Sequence, residues 1–329
     1  MARVLIAHQP ARVVRVEDGH PAMETSILSA VRDVEAALRE REHVVERVTI
    51  TRELAALQRT VRRFRPQVIF NLCERINNDG QLEKNATALY EILGKPYTGN
   101  GPLPLGLCQR KSLAKQILRA AKIPTPEFLV ASDQNLDTLH FQLPAIVKPL
   151  YEDGSSGITM RSVVKSATAL RSRVGFVHRK FRQPALIEAF IAGREFQVAL
   201  LGNTSPQILA VAQLSYRGLP RKYPKICSYS AKWDPKSRYY THTNPVIPAG
   251  IPVPLQARIE HLAIEVFKLF DLRGYARIDL RVRGGKPYVI DINPNPDISA
   301  DAGFARAARS AGLSYPDLIN RIVELAQEP

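Results

Sequence analysis

Over its first hundred residues the chain alternates short apolar, β-branched runs with amphipathic stretches of helical period. A parallel sheet covered by helices satisfies that alternation. Val4–Ala7, Val44–Val48 and Gln67–Leu72 read as strands. Between them, Ser26–Arg41 places Ile27, Val31, Val34 and Leu38 at helical spacing, and Glu53–Arg63 reads as a second helix. Leu82–Leu93 is a third, closed by Gly94 and Pro96. Lys111–Lys122 is a shorter helix that stops before Pro124 and Pro126, a hinge into a second unit. From Ala145 the texture changes. Ala145–Lys148, Ala185–Glu188, Glu195–Leu201 and Gln207–Gln213 read as strands separated by turns, the pattern of an antiparallel sheet with fewer helices. Arg217–Pro254, rich in Pro, Tyr and Lys, reads as one long loop, a length usual for functional segments.

Composition removes several classes. No run of about 18 apolar residues occurs, so no membrane-spanning helix is expected. The opening Met1–His8 is too short an apolar stretch for an export signal, and the expectation is a cytoplasmic protein. Cys73, Cys108 and Cys227 are far apart and odd in number, which favours free thiols over a disulfide frame or a metal site. The net charge is +15, but the basic residues are scattered, with only a modest concentration from Arg39 to Arg65. Nucleic-acid modules gather such charge on one face among aromatics. Solvated helix faces and steering of anionic substrates explain the charge better, and nucleic acid ranks behind them.

Three segments carry chemistry. Tyr275–Asn293 reads as two strands joined around Gly284-Gly285. A three-residue connection, Gly284 to Lys286, sets Asp279 opposite Asp291 and Arg277 opposite Asn293. One face then carries Arg277, Asp279, Arg281, Val289, Asp291 and Asn293; the other carries Ile278, Leu280, Val282, Tyr288, Ile290 and Ile292. Facing carboxylates need a neutralising partner, either a hard cation such as Mg²⁺ or the two arginines on a solvated face. Upstream, Lys148 ends a strand and Gly154-Ser-Ser-Gly157 follows, a small turn able to offer N–H and hydroxyl groups to phosphate, or a plain surface turn. Ala185–Val198 sets Glu188, Phe190, Ile191 and Glu195 around one turn, either a slot for adenine and ribose or a strand–turn–strand with two surface acids.

Taken in order, these segments resemble the ATP-grasp superfamily, and in detail its D-alanine–D-alanine ligase branch, from about Glu24 to the C-terminus. The resemblance implies an α/β, three-domain architecture. Residues 1–108 would form a Rossmann-like parallel-sheet substrate domain, 109–186 a small central α+β domain, and 187–329 the catalytic domain with its antiparallel sheet. It implies an ADP-forming ligase that makes an amide through an acyl phosphate, with ATP and Mg²⁺, or Mn²⁺ in its place, as cofactors. Lys111 and Lys148 are similar to the lysines on the α- and β-phosphates, and Ser155 and Ser156 to the loop that closes over them. Glu188, Phe190 and Ile191 resemble the adenine hinge, Glu195 the ribose acid, and Lys232 the loop lysine at the γ-phosphate. Asp279, Asp291 and Asn293 match the magnesium ligands, and Arg277 the arginine that stabilises the acyl phosphate. Glu24 resembles the acid that holds the first substrate's amino group. Partners are then amino acids or a peptide, with a homodimer as the oligomer common in the family.

Two positions depart from the pattern. Trp233 stands where the D-alanine-joining enzymes carry a tyrosine, and Pro296-Asp297 where they read Pro-Gly beside the second substrate. An acid there repels a free carboxylate and favours a cation. The expected acceptor is therefore a peptide, a polyamine-like amine or a basic amino acid rather than plain D-alanine.

Overall fold

The computed structural model describes residues 1–11, 14–15, 21–22, 25–132 and 139–328. Its N-terminal part comprises β1 (Arg3–His8), a short β2 (Val14–Arg15) and β3 (Pro21–Ala22) pair, α1 (Thr25–Glu40), β4 (Val44–Thr49), α2 (Ala55–Phe64), β5 (Val68–Leu72), α3 (Glu83–Ile92), α4 (Pro102–Gln109) and α5 (Lys111–Ala120). Strands β4, β1 and β5 lie in that order, all parallel. Both faces of β1 are buried: Val4 and Ile6 pack toward α1, and Leu5 and Ala7 toward Leu57 and Tyr90. A strand covered on both faces must be apolar throughout, as Val-Leu-Ile-Ala is.

The central part holds β6 (Phe128–Ala131), β7 (Ala145–Pro149), β8 (Val163–Val164), α6 (Ala167–Phe181) and β9 (Ala185–Ala189), in the antiparallel order β6-β9-β7-β8. The last part holds β10 (Arg194–Leu201), β11 (Gln207–Ser215), α7 (Tyr229–Trp233), α8 (Arg238–His242), β12 (Asn244–Val246), α9 (Val253–Leu269), β13 (Tyr275–Arg283), β14 (Lys286–Asn293), α10 (Gly303–Ser310) and α11 (Tyr315–Leu325). Its sheet runs β12-β11-β10-β13-β14, with antiparallel pairs throughout. One core joins α1, β1 and β5 to α10 and α11. Another packs α5 and α9 against β10, β13 and β14.

Three expectations are corrected here. Arg217–Pro254 is not one loop: α7 and α8 interrupt it, because Ser228 and Ser237 accept hydrogen bonds from Ala231 N and Tyr240 N and so cap both helices. The region after Ala145 is richer in helix than its alternation suggests, since α6, α9, α10 and α11 all form there. The third correction concerns the β13–β14 hairpin. Arg283 pairs with Lys286 across a two-residue turn whose Gly284 and Gly285 both have positive φ, as a type I′ turn requires. Asp279 still faces Asp291, and Arg277 still faces Asn293, because a β-bulge below Asp279 adds one residue to β14. The bulge moves Val289 into the apolar core beside Leu280 and sets Tyr288 opposite Arg281, reversing the facing expected of both. It also brings Ile290 and Asp291 together to the wall of the cleft described next.

Candidate active site

A cleft of about 860 Å³, open mouth included, separates the β7–β9 sheet from the β10–β14 sheet. Lys111, Lys148, Ser155, Ser156, Glu188, Phe190, Ile191, Glu195, Lys232, Arg277, Asp279, Asp291 and Asn293 all line it. Trp233 and Asp297 lie outside its lining. Glu24 falls outside the described residues.

At one end the charge is buried and paired. Glu188, on β9, is 1% exposed, and Lys148, on the adjacent β7, reaches its Oε2 at 2.6 Å. Lys115 reaches the other oxygen at 2.5 Å. Burial alone would raise the Glu188 carboxyl, but the two lysines outweigh it and pull it down to about 2. Burial is also the larger influence on Lys115, lowering its ammonium against the pull of Glu188. Sequence reading missed Lys115. Its signal is the i, i+4 spacing from Lys111, which puts both lysines on one face of α5 while Ala114 and Leu118 take the core face. Lys115 also donates to Thr125 Oγ1 at 3.1 Å, and that hydroxyl donates to Val289 O at 2.8 Å, just before the bulge.

Next along the cleft, Lys111 Nζ donates to Glu152 O at 2.6 Å and to Asp153 Oδ1 at 2.7 Å. Burial disfavours its charge, yet Asp153 and Asp291 raise it above the usual lysine value. Gly154, Ser155 and Gly157 all take positive φ, so the glycine-rich turn winds tightly, and a Cβ at Gly157 would strike Pro149 and Phe181. Ser155 Oγ donates to Cys227 O at 3.0 Å, and Trp233 Nε1 donates to Gly154 O at 3.4 Å. Those contacts draw the 217–243 segment over the turn and bring Lys232, on α7, into the cleft wall.

At the far end Arg277 grips Asp279 with two bonds, Nε to Oδ1 at 2.7 Å and Nη2 to Oδ2 at 2.9 Å. Burial opposes the arginine's charge, but Asp279 more than offsets it and raises the guanidinium. Asn293 Nδ2 donates to Arg277 O and Asp279 Oδ2, both at 3.3 Å, which directs its amide nitrogen into the protein. Two carboxylates and an amide oxygen form a hard, incomplete donor set. Among the described residues no three His, Cys, Asp or Glu converge as a self-sufficient metal site. Mg²⁺ fits such a set because it binds through one or two carboxylates and completes its octahedron with phosphate and water.

Sequence reading singled out Asp297 but missed Glu74 and Glu83, which form an acidic rim with it toward the N-terminal part. Glu74 keeps solvent contact, yet the protein crowded around it and then Asp297 push its carboxyl up. Glu83 is raised well above the ordinary value by burial, Asp153 and Glu74, with Asn295 Nδ2 3.5 Å from its Oε1. Asp297 Oδ1 accepts from Ser299 N at 2.9 Å and Ser299 Oγ at 2.6 Å. The thiols are free; Cys73 and Cys108 are buried, and burial above all pushes Cys73 up to about 12.

A charge-lined cleft between two antiparallel sheets, with lysines at one end and a carboxylate–amide set at the other, defines a nucleotide-dependent enzyme of the ATP-grasp class. The model for the D-alanine–D-alanine ligase C-terminus matches residues 117–324. A D-alanine–D-alanine ligase from Desulforudis audaxviator is 32% identical over 93% of this chain and 94% of its own. An uncharacterized protein y4sG from Sinorhizobium fredii is 33% identical over 79% of this chain and 74% of its own. The crystal structure of D-alanine–D-alanine ligase from Bacillus anthracis complexed with ATP shares the fold at TM-score 0.75 and 20% identity, covering 99% of this chain and 98% of that one. The chain belongs to the D-alanine–D-alanine ligase family, an ADP-forming family of ATP- and Mg²⁺-dependent ligases that make C–N bonds. No described helix is long and apolar enough to cross a membrane.

Proposed function

We propose that this ligase joins an amino acid or peptide to an acceptor other than plain D-alanine. The observation that carries the reading is the acidic rim. Burial and then Asp297 raise the Glu74 carboxyl, burial, Asp153 and Glu74 raise that of Glu83, and Arg75 offsets only part of either, which favours a cationic acceptor over a free carboxylate. The bond from Ser299 fixes Asp297 on the rim rather than in the cleft lining, so its influence on the acceptor is electrostatic.

In this reading Lys111 and Lys148 hold the α- and β-phosphates of ATP, with Ser155 and Ser156 closing over them and Lys232 at the γ-phosphate. Glu188, Phe190 and Ile191 take adenine, and Glu195 takes the ribose. Asp279, Asp291 and Asn293 hold Mg²⁺, which when bound offsets phosphate charge. Glu24 holds the first substrate's amino group, and Trp233 borders the substrate side of the lid. The donor carboxylate attacks the γ-phosphorus, giving an acyl phosphate and ADP. The acceptor amine then attacks the acyl carbon, phosphate leaves, and an amide forms. Arg277 stabilises the charge that gathers when the two anions meet, and the 217–243 segment keeps water off the acyl phosphate. Domain limits of 1–108, 109–186 and 187–329, a cytoplasmic setting and a homodimer complete the proposal.

A second reading, D-alanine–D-alanine ligase proper, is favoured by the 32% identical relative of that name. Asp297→Gly separates the two. If the rim selects the acceptor, the variant loses preference for basic acceptors and gains activity with D-alanine. An unchanged acceptor profile would sink the first reading and leave the second.

A further inference from the structure

Arg281 was given no role by the resemblance, yet it is 5% exposed and lines the cleft. Its place on β13 is directly opposite Glu195 on β10. Nη1 lies 3.3 Å from Glu195 Oε2, which also accepts from Tyr216 OH at 2.9 Å. One carboxylate oxygen is thereby held twice; Oε1 has no partner among the described residues. Nη2 donates to Gly193 O at 3.1 Å, in the turn after the adenine-side residues, and to Lys225 O at 2.8 Å, in the segment that covers the cleft. The guanidinium carbon sits 4.9 Å from the centre of the Phe190 ring. Gly193 makes this approach possible, because a Cβ there would lie 1.9 Å from Val282 O.

Stability does not explain this arrangement. Buried ion pairs seldom beat a well-packed apolar side chain of equal volume. Arg281 Nε is moreover buried without an acceptor among the described residues, an uncompensated cost. Position does explain it: one planar group fixes the acid, the turn and the covering segment relative to one another.

We propose that Arg281 is a positioning residue for nucleoside recognition, holding Glu195 by one oxygen so that the other stays free for the ribose hydroxyls while it ties the covering segment to the hinge. The inference rests on the reading of this cleft as a nucleotide site with Glu195 on the ribose.

The test is calorimetric titration of the full chain, with Mg²⁺, using ATP and 2′,3′-dideoxy-ATP. Wild type prefers ATP. Arg281→Met weakens ATP about tenfold or more, the worth of one or two charge-assisted hydrogen bonds, and weakens the dideoxy nucleotide far less, so the preference collapses. Arg281→Lys restores part of it. Tyr216→Phe, which removes the other donor to the same oxygen, lowers the preference in the same direction and decides the matter if Arg281→Met does not fold. Equal weakening of both nucleotides, or an unchanged preference in Arg281→Met or in Tyr216→Phe, would overturn the inference. A wild type that binds neither nucleotide would overturn the nucleotide reading itself. Wild-type binding without ribose preference would overturn only the role of Glu195 and Arg281.

Discussion

On the wall built by α5, β7 and β9, every buried charge has an opposite partner: Lys111 with Asp153, and Lys115 and Lys148 with Glu188. On the rim formed by Glu74, Glu83 and Asp297, burial and neighbouring carboxylates raise Glu74 and Glu83, and Arg75 offsets only part of that. The first arrangement is already paired within the protein, so in the proposed reading its lysines would meet phosphate with little reorganisation. The second carries a cost in the free protein that a bound cation would relieve. In the proposed reading, the preorganised charge serves the phosphates and the partly compensated charge of the rim selects the acceptor.

Breaking the paired wall has the largest expected effect. If Lys148 holds phosphate as proposed, Lys148→Ala lowers ADP formation about 10²–10³-fold, the usual scale for losing one such group, measured by coupled assay. Lys115→Met should destabilise the fold by ~3–5 kcal/mol in denaturant unfolding, since it removes one partner from a buried ionic cluster. Adding Glu188→Gln to Lys115→Met should cost more again, since it leaves Lys148 without its acid partner; a double variant more stable than the single would contradict the pairing account. The same cluster sets an acid limit. Glu188 is depressed to about 2, so its contribution is fully present above the ordinary carboxylate range and fades only as pH falls toward 2. In Lys115→Met that fading should be smaller and complete at higher pH. The smallest effect is expected on the rim. Glu83 is raised, so its stabilising balance is present below the ordinary carboxylate value and is lost as pH rises through its folded value. Glu83→Gln should therefore raise Tm at pH 8 and change little at pH 4. A fall in Tm at pH 8 would contradict the crowding.

On the paired wall, Lys148 and Glu188 were legible as site candidates because they sit near the ends of regular strands, where motif spacing survives. The two strands are adjacent, but the pairing of the two side chains was not legible. Asp279 opposite Asp291 was legible too, though by a route the molecule does not take: two compensating features, a two-residue turn and a bulge, give the pairing that one three-residue turn would. Pairing by period alone cannot sense an inserted residue, which is why Val289 and Tyr288 came out on the wrong faces. Of the rim, only Asp297 was legible. Glu74 and Asp297 are more than 200 positions apart in sequence, and the shared core, with the bonds of Asn100 to Tyr275 O and of Asn295 to Glu83, brings the two parts together. Lys115 was hidden for a simpler reason, since a lysine inside an amphipathic helix normally faces water, and its burial is decided by Glu188, over 70 residues later.

The central claim is most directly tested by amino-acid-dependent ADP release with Mg²⁺ and ATP, across D- and L-amino acids, short peptides and basic amines, with Lys148→Ala as control. The account predicts turnover that requires a cationic acceptor and disappears in the control. Full turnover with D-alanine alone would contradict it, making Trp233 and the acidic rim tolerated variations on D-alanine–D-alanine ligation.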